Sequence, residues 1–162
     1  MTIDTPATPT LSPSLEEQVR HLYDRSRIGD ALYAYAYSCD TKDVARLRTL
    51  FTPSARARYG KTQEWLEGGP TIAEWIGTAT APTRWQHHLI NVYDVAVEGD
   101  RATACVYLVS HQTTSAEPDT VLMMTSRYSM QLVRDGGSWR IDVLDLLVGW
   151  MDSRHASQAD LP

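Results

Sequence analysis

Residues 84–114 read RWQHHLINVYDVAVEGDRATACVYLVSHQTT, and their pattern decides the fold. Apolar and polar side chains alternate with a period of two on either side of Glu98-Gly99-Asp100, as two half-buried strands joined by a tight turn should. The pattern continues downstream. Segments 84–97, 101–114, 120–134 and 138–150 read as long strands, separated by that turn, by Ser115-Ala116-Glu117-Pro118-Asp119 and by Asp135-Gly136-Gly137. Consecutive strands with short connections predict an antiparallel meander, and segment 54–59 is a candidate short edge strand.

Upstream of residue 84 the period is helical. Ser14-Leu15-Glu16-Glu17 is a capping box, and Leu15, Val19 and Leu22 follow at helical spacing. Asp24 is a candidate second cap, after which Ile28, Leu32, Tyr35 and Cys39 continue the stripe to about residue 40. A short helix carries Val44, Leu47, Leu50 and Phe51 and stops at Thr52-Pro53. Pro70-Thr71-Ile72-Ala73-Glu74 repeats the start signal with a second capping box, for a helix through Trp75 and Ile76 that stops near Gly77. Helices gathered ahead of strands predict an α+β domain. Long strands curl, and only the N-terminal helices can cover the concave face. The expected architecture is therefore a curled antiparallel sheet of four to six strands, its cone-shaped pocket closed by the N-terminal helices. The domain spans 14–152, with polar tails at 1–13 and 153–162.

The bulk composition narrows the function. With 162 residues the chain is long enough for one well-packed domain. Its net charge is −5 and its 15 basic residues are scattered, which argues against a nucleic-acid partner. No apolar run approaches the ~20 residues that span a bilayer, and the first residues lack a signal peptide's apolar stretch. Cys39 and Cys105 form no CxxC motif and suit a reduced compartment, so the expected location is cytoplasmic.

Two features could carry chemistry. If Glu98-Gly99-Asp100 is a three-residue loop, Val97 faces Arg101 and, counting back along both strands, His87 faces His111. Facing Cβ atoms lie about 4.5–5.5 Å apart, so the two imidazoles would share one small volume. A two-residue loop would pair His88 with His111 instead, and a bulge would alter either register. Asp40 ends the long helix, where the helix dipole disfavours an anion, so a neighbouring imidazole donor would suit it. An Asp–His–His cluster is general acid–base equipment. The plainer readings stand beside it. Asp40 could cap the next helix, a lone His87 or His88 is commonly structural, His111 could face outward, and Tyr33 and Tyr37 could simply pack. Two histidines and one carboxylate could also bind iron, but the tight ligand spacings are missing, so no metal is expected.

The run Tyr37-Ser38-Cys39-Asp40-Thr41-Lys42-Asp43, then Leu47, Phe51-Thr52-Pro53 and Tyr59, resembles the opening of the nuclear-transport-factor-like superfamily in its SnoaL-like polyketide cyclase and scytalone dehydratase branch. Gln86-His87-His88 with Asn91, and Val109-Ser110-His111-Gln112, continue the likeness over about residues 14–150. The resemblance implies a deep pocket, assembly into dimers or trimers, and cofactor-independent chemistry on a small molecule. It implies that Asp40 orients His111, that His87 and His111 act as acid and base, and that Tyr59 donates to a carbonyl. Tyr37, Cys39, Trp75, Met124, Ser126 and Tyr128 would line the substrate. Cys39 stands where the dehydratase has a tyrosine, which Tyr37 or Tyr128 would have to replace.

The expected function is a dehydratase, or a related cyclase or isomerase, acting on a hydroxylated cyclic or polyketide-like ketone without cofactor or metal. The alternatives are a non-catalytic binding module of the same fold and a limonene-type epoxide hydrolase. The last would need a carboxylate pair with a central arginine, for which Arg127 and Asp145 are the available groups. A histidine base predicts a rate that depends on a group titrating between about 5 and 8.

Overall fold

The computed structural model describes residues 13–156. Three helices precede or interrupt the early strands: α1 (Leu15–Asp40), α2 (Val44–Leu50) and α3 (Gly69–Thr80). Six strands follow the chain as β1 (Phe51–Tyr59), β2 (Leu66–Glu67), β3 (Thr83–Glu98), β4 (Arg101–Thr114), β5 (Thr120–Asp135) and β6 (Ser138–His155). They form one curled, unclosed sheet in the order β2-β1-β6-β5-β4-β3, with the helices on its concave side. The α+β cone expected from the sequence is thus the observed fold, with one correction. The sheet is mixed, because β1 runs parallel to β6 while every other pair is antiparallel. A parallel neighbour needs a crossover, and α3 with the β3–β5 meander supplies the one between β1 and β6; with β2 on its other side, β1 is not the edge strand expected for 54–59.

Several local expectations are corrected as well. Helix α1 is one continuous element, and Ser14 closes its capping box with Glu17 as expected. Asp24 is no cap: it is buried mid-helix, held by Arg134 Nη1 at 2.9 Å and by Trp139 Nε1 at 3.3 Å. Leu15, Val19 and Leu22 are exposed, because α1 projects past the sheet before its buried stripe of Ile28, Leu32, Tyr35 and Cys39 begins. Phe51 leaves the helix to start β1. The start signal at Thr71 falls inside α3, which is already under way at Gly69 and has no side-chain cap, while Glu74 reaches across to Arg48. β6 continues to His155, past the expected boundary at 152, by pairing His155 with Thr120. Of the expected tails at 1–13 and 153–162, residues 1–12 and 157–162 lie outside the described residues.

Helix α1 guards the sheet's exposed edge. β3 is an edge strand, whose unpaired backbone groups would otherwise template aggregation. Arg25 Nη1 donates to Val95 O at 2.5 Å, Lys42 Nζ to Thr83 O at 2.5 Å, and His88 N donates to Asp40 Oδ2 at 3.0 Å. The core beneath is continuous. Ile28, Leu32, Leu47, Phe51 and Ile72 from the helical side and β1 meet Val106, Leu108, Leu132, Ile141 and Leu144 from the meander. Each such side chain contributes about 1.5–3 kcal/mol on burial.

The β3–β4 hairpin sets which side chains face that core. Its turn is two residues, Gly99-Asp100, with Glu98 opposite Arg101 and Gly99 at φ 62°, where glycine is the natural residue. That turn alone would pair His88 with His111. However, Val92 faces Val106 while Asp94 faces Cys105, so Tyr93 is an extra, bulged residue that shifts the register back by one. His87 therefore faces His111, the pair expected from a three-residue loop, reached through a different turn and a compensating bulge.

Candidate functional site

The C-terminal end of α1 delivers Asp40 to the inner face of β3. The helix stops there because Lys42 takes a left-handed φ of 57° and Asp43, not Asp40, caps α2 by accepting from Arg46 N at 2.9 Å. Asp40 is thus left to turn inward. Its Oδ1 lies 2.5 Å from His88 Nδ1, and its Oδ2 accepts the His88 backbone N–H. A carboxylate can only accept, so Nδ1 carries the proton and Nε2 of the neutral ring keeps its lone pair. Among the described residues, no group hydrogen-bonds that Nε2. One residue earlier in the inner row, Gln86 donates its side-chain N–H to Cys39 O and ties α1 to β3 beside the dyad.

This corrects the sequence expectation about which imidazole Asp40 holds. Asp40 orients His88, not His111. His87 and His111 do meet, with His111 Nδ1 3.4 Å from His87 Nε2 and ring centroids 4.9 Å apart. They do so on the opposite face of the sheet. His88 contacts α1, and neighbouring side chains in a strand point to opposite faces, so His87 points outward beside the exposed Trp85. Alternation showed two faces but not which one the helices would cover.

Deeper in the cone lies a group of phenols. Tyr35 and Tyr59 hydroxyls are 3.1 Å apart, and Tyr35 meets both Phe51 and Tyr128 edge-on at 5.9 Å. Trp75 stacks on Tyr59 at 4.6 Å. Burial, and then the adjacent Cys39 thiol, pushes the Tyr35, Tyr59 and Tyr128 phenols above their usual value. They remain neutral hydrogen-bond donors rather than acids. Burial also pushes the Cys39 thiol up to about 12, which makes it an inert wall group rather than a nucleophile.

Ser126 Oγ is buried on this inner face without a hydrogen-bond partner among the described residues. Met124 lies beside Ser110 in the row that holds His88. Inward-facing Ile90, Met124 and Val148, with Tyr59 and Trp75, keep part of their surface accessible, whereas Leu132, Ile141 and Leu144 keep essentially none. The inner face is thus packed most tightly around Leu132, Ile141 and Leu144 and less tightly around the His88–Met124 row.

The remaining expected site residues fall elsewhere. Tyr37 is exposed on the outer side of α1, with the Arg46 guanidinium 6.0 Å above its ring, and does not line the interior. Its place as a second phenol beside Tyr59 is taken by Tyr35, one helical turn before Cys39. Arg127 and Asp145 are on the outer face. Asp145 is held bidentately by Arg58 at 2.9 and 2.7 Å, so no carboxylate–arginine–carboxylate group forms around an interior water site. Among the described residues there is also no group of three His, Cys, Asp or Glu placed to hold a metal ion.

Tyr35, Gln86 and His88 were not singled out from the sequence as site residues. Tyr35 carried a legible signal: a phenol on a core stripe needs a partner for its hydroxyl. His88 carried only an ambiguous one, because the hairpin's bulge has no sequence mark stronger than alternation itself.

Comparisons with known proteins place the fold and the family. The sequence profile described as a SnoaL-like domain matches residues 20–145. An uncharacterized protein of Mycobacterium tuberculosis, Rv2910c, is 26% identical over 124 residues, covering 76% of this chain and 84% of its own. Among solved structures, a candidate scytalone dehydratase of Novosphingobium aromaticivorans superposes with a TM-score of 0.77 at 15% identity, covering 89% of this chain and 96% of its own. The hexachlorocyclohexane dehydrochlorinase LinA-type3 of Novosphingobium barchaimii superposes at 0.78 with 12% identity, over 90% and 99%. At such identities these two structures share the fold.

Proposed function

The chain belongs to the SnoaL-like family, and from that premise we propose that it is a cofactor-independent acid–base enzyme, a dehydratase or related isomerase or cyclase, whose base is His88 oriented by Asp40. The observation that carries this reading is the two-point grip of Asp40 on His88, which fixes the tautomer and leaves Nε2 to take a proton. The substrate class is a hydroxylated cyclic or polyketide-like ketone. His88 Nε2 removes a proton α to the carbonyl. The enolate oxygen is stabilised by donation from a neutral phenol, for which the Tyr59–Tyr35 pair is suited because burial keeps both protonated. In a dehydration, a hydroxyl β to that carbonyl then leaves as water, carrying the proton that His88 returns. In an isomerisation the proton goes back to carbon instead. Asp40 stabilises the imidazolium in between. A cytoplasmic setting suits the two free cysteines, and none of the described helices is long and apolar enough to cross a membrane.

The test is proton exchange. A panel of cyclic β-hydroxyketones is incubated with the protein in heavy water, and α-deuteration and loss of water are followed by NMR. The expected result is exchange or elimination by the native chain, and loss of about 10²–10⁴-fold in His88→Ala. Native protein that exchanges nothing yet shifts on ligand binding would identify a binding module. Activity retained in His88→Ala would overturn the assignment of the base.

A further inference from the structure

The His87–His111 pair on the outer face takes no part in the proposed chemistry and is poorly explained as structure. Its internal hydrogen bond is long, at 3.4 Å from His111 Nδ1 to His87 Nε2, where N–H donors usually sit about 2.7–3.2 Å from their acceptors. His87 Nδ1 is shut off from solvent without a hydrogen-bond partner among the described residues. Hydrogen bonding therefore does not account for two imidazoles being held together here, and a shared ion is the other common reason for such an arrangement.

The spacing suits one. Two nitrogens 3.4 Å apart, each about 2.0–2.1 Å from a common ion, subtend about 110° at it, close to the angle of a tetrahedral or three-coordinate centre. The sheet register supplies a third donor. His111 faces Met123 across β4 and β5, so the thioether projects from the same face as the rings, its Cβ about 4.5–5.5 Å from that of His111. Carboxylates are withheld. Asp40 is engaged by His88 on the opposite face, and Asp152, across from Met123 on β6, is held by Arg154 at 2.9 Å. Cys105 stands six residues along β4 from His111, about 20 Å away at the rise of a strand, and is out of reach.

We propose that His87 Nε2, His111 Nδ1 and the Met123 thioether form a three-coordinate site for a monovalent copper ion on the outer face of the sheet.

The donor set chooses the ion. Two imidazoles would serve zinc, nickel or divalent copper, but those ions complete their shells with carboxylate, thiolate or further imidazole. A thioether is a soft donor and selects Cu(I). The surroundings favour the same ion. Trp85 lies against His87 with centroids 4.9 Å apart, and the exposed Leu89 follows on the same face. An apolar rim penalises a divalent ion far more than a monovalent one, since desolvation grows with the square of the charge, and the indole face attracts a cation. Binding there needs nothing of the Asp40–His88 dyad, because neighbouring residues of β3 point to opposite faces.

Anaerobic titration of the full chain with Cu(I), in competition with a chromogenic chelator of known affinity, tests this. The expected result is one tightly held Cu(I) per chain, with X-ray absorption showing two nitrogens and one sulfur around it. His87→Gln and His111→Gln should each weaken binding by about 100-fold or more, and Met123→Leu, which keeps the side chain's size, by about 10-fold, all with the native circular dichroism spectrum. Zinc should bind at least about 100-fold more weakly than Cu(I) and be indifferent to Met123→Leu. Cys105→Ser, and His21→Gln on the exposed side of α1, should hold copper as the native chain does. A native chain that yields all its copper to the chelator, loss of binding in Cys105→Ser, or an unchanged Cu(I) affinity in Met123→Leu would each overturn the assignment.

Discussion

Asp40 and His88 divide two jobs that one residue cannot do: the carboxylate fixes a proton on Nδ1, and the ring offers Nε2. Asp40→Asn keeps the shape but replaces an acceptor-only group with one that also donates, so the preference for the Nδ1–H tautomer weakens. We expect turnover on an accepted ketone to fall about 10²–10⁴-fold, with a smaller change in ligand affinity. His87→Ala, altered only on the outer face, should stay within a few-fold of native turnover, and steady-state kinetics on the three proteins separates these roles. The two thiols give a second prediction. Cys39 is buried with its pKa pushed up to about 12, whereas Cys105 is partly exposed. A chromogenic disulfide reagent at pH 8 should titrate Cys105 alone in the folded chain and both thiols in denaturant. Rapid labelling of Cys39 in the native protein would mean that the phenol-lined end of the cone is open.

At the scale of elements, α3 begins in close contact with β1. A Cβ built on Gly69 would lie 2.5 Å from Thr52 O and 3.0 Å from Phe51 Cβ. Backbone oxygen cannot give way as a side-chain tip can, so Gly69→Ala should cost about 1–3 kcal/mol, read as a lower urea midpoint with an unchanged slope. The elements also show where the sequence was readable. Strand alternation and turn residues placed all four meander strands, and the Ser14–Glu17 capping box placed the start of α1. Periodicity misread what tertiary contact decides. Asp24 looks like a cap until Arg134 arrives from β5. Leu15, Val19 and Leu22 look like core until the sheet proves too short to cover them. In the site, the position of Asp40 was legible from the end of its helix, but its partner was not. Choosing between His87 and His88 needed a turn length, a bulge and the covered face together, and alternation supplies none of them.

For the whole molecule, an ionic node ties the Leu132 end of the cone to helix α1. Asp24 of α1 accepts from Arg134 and Trp139, and Arg134 also reaches Asp100 in the β3–β4 turn. The Arg134 hydrogen bond holds the Asp24 carboxyl below its usual value despite burial. A carboxyl lowered on folding stabilises the native state above its unfolded pKa of about 3.9, and that share is lost as pH falls through the lower native value. Asp24→Asn should therefore cost about 1.5–3 kcal/mol at pH 7. The gap to the native protein should narrow between about pH 5 and pH 2, as followed by urea unfolding at several pH values. A gap independent of pH would mean that packing, not charge, holds this node.

The bulge at Tyr93 works as a parity switch for everything below it. With that single extra residue, Gln86 and His88 turn toward the helices and Trp85, His87 and Leu89 toward water. Removing it while the turn stays fixed would exchange the two sets, handing His87 to the aspartate and stranding His88 outside. Two adjacent histidines thus stand on either side of a one-residue frame, and a single deleted codon would decide which of them the interior receives.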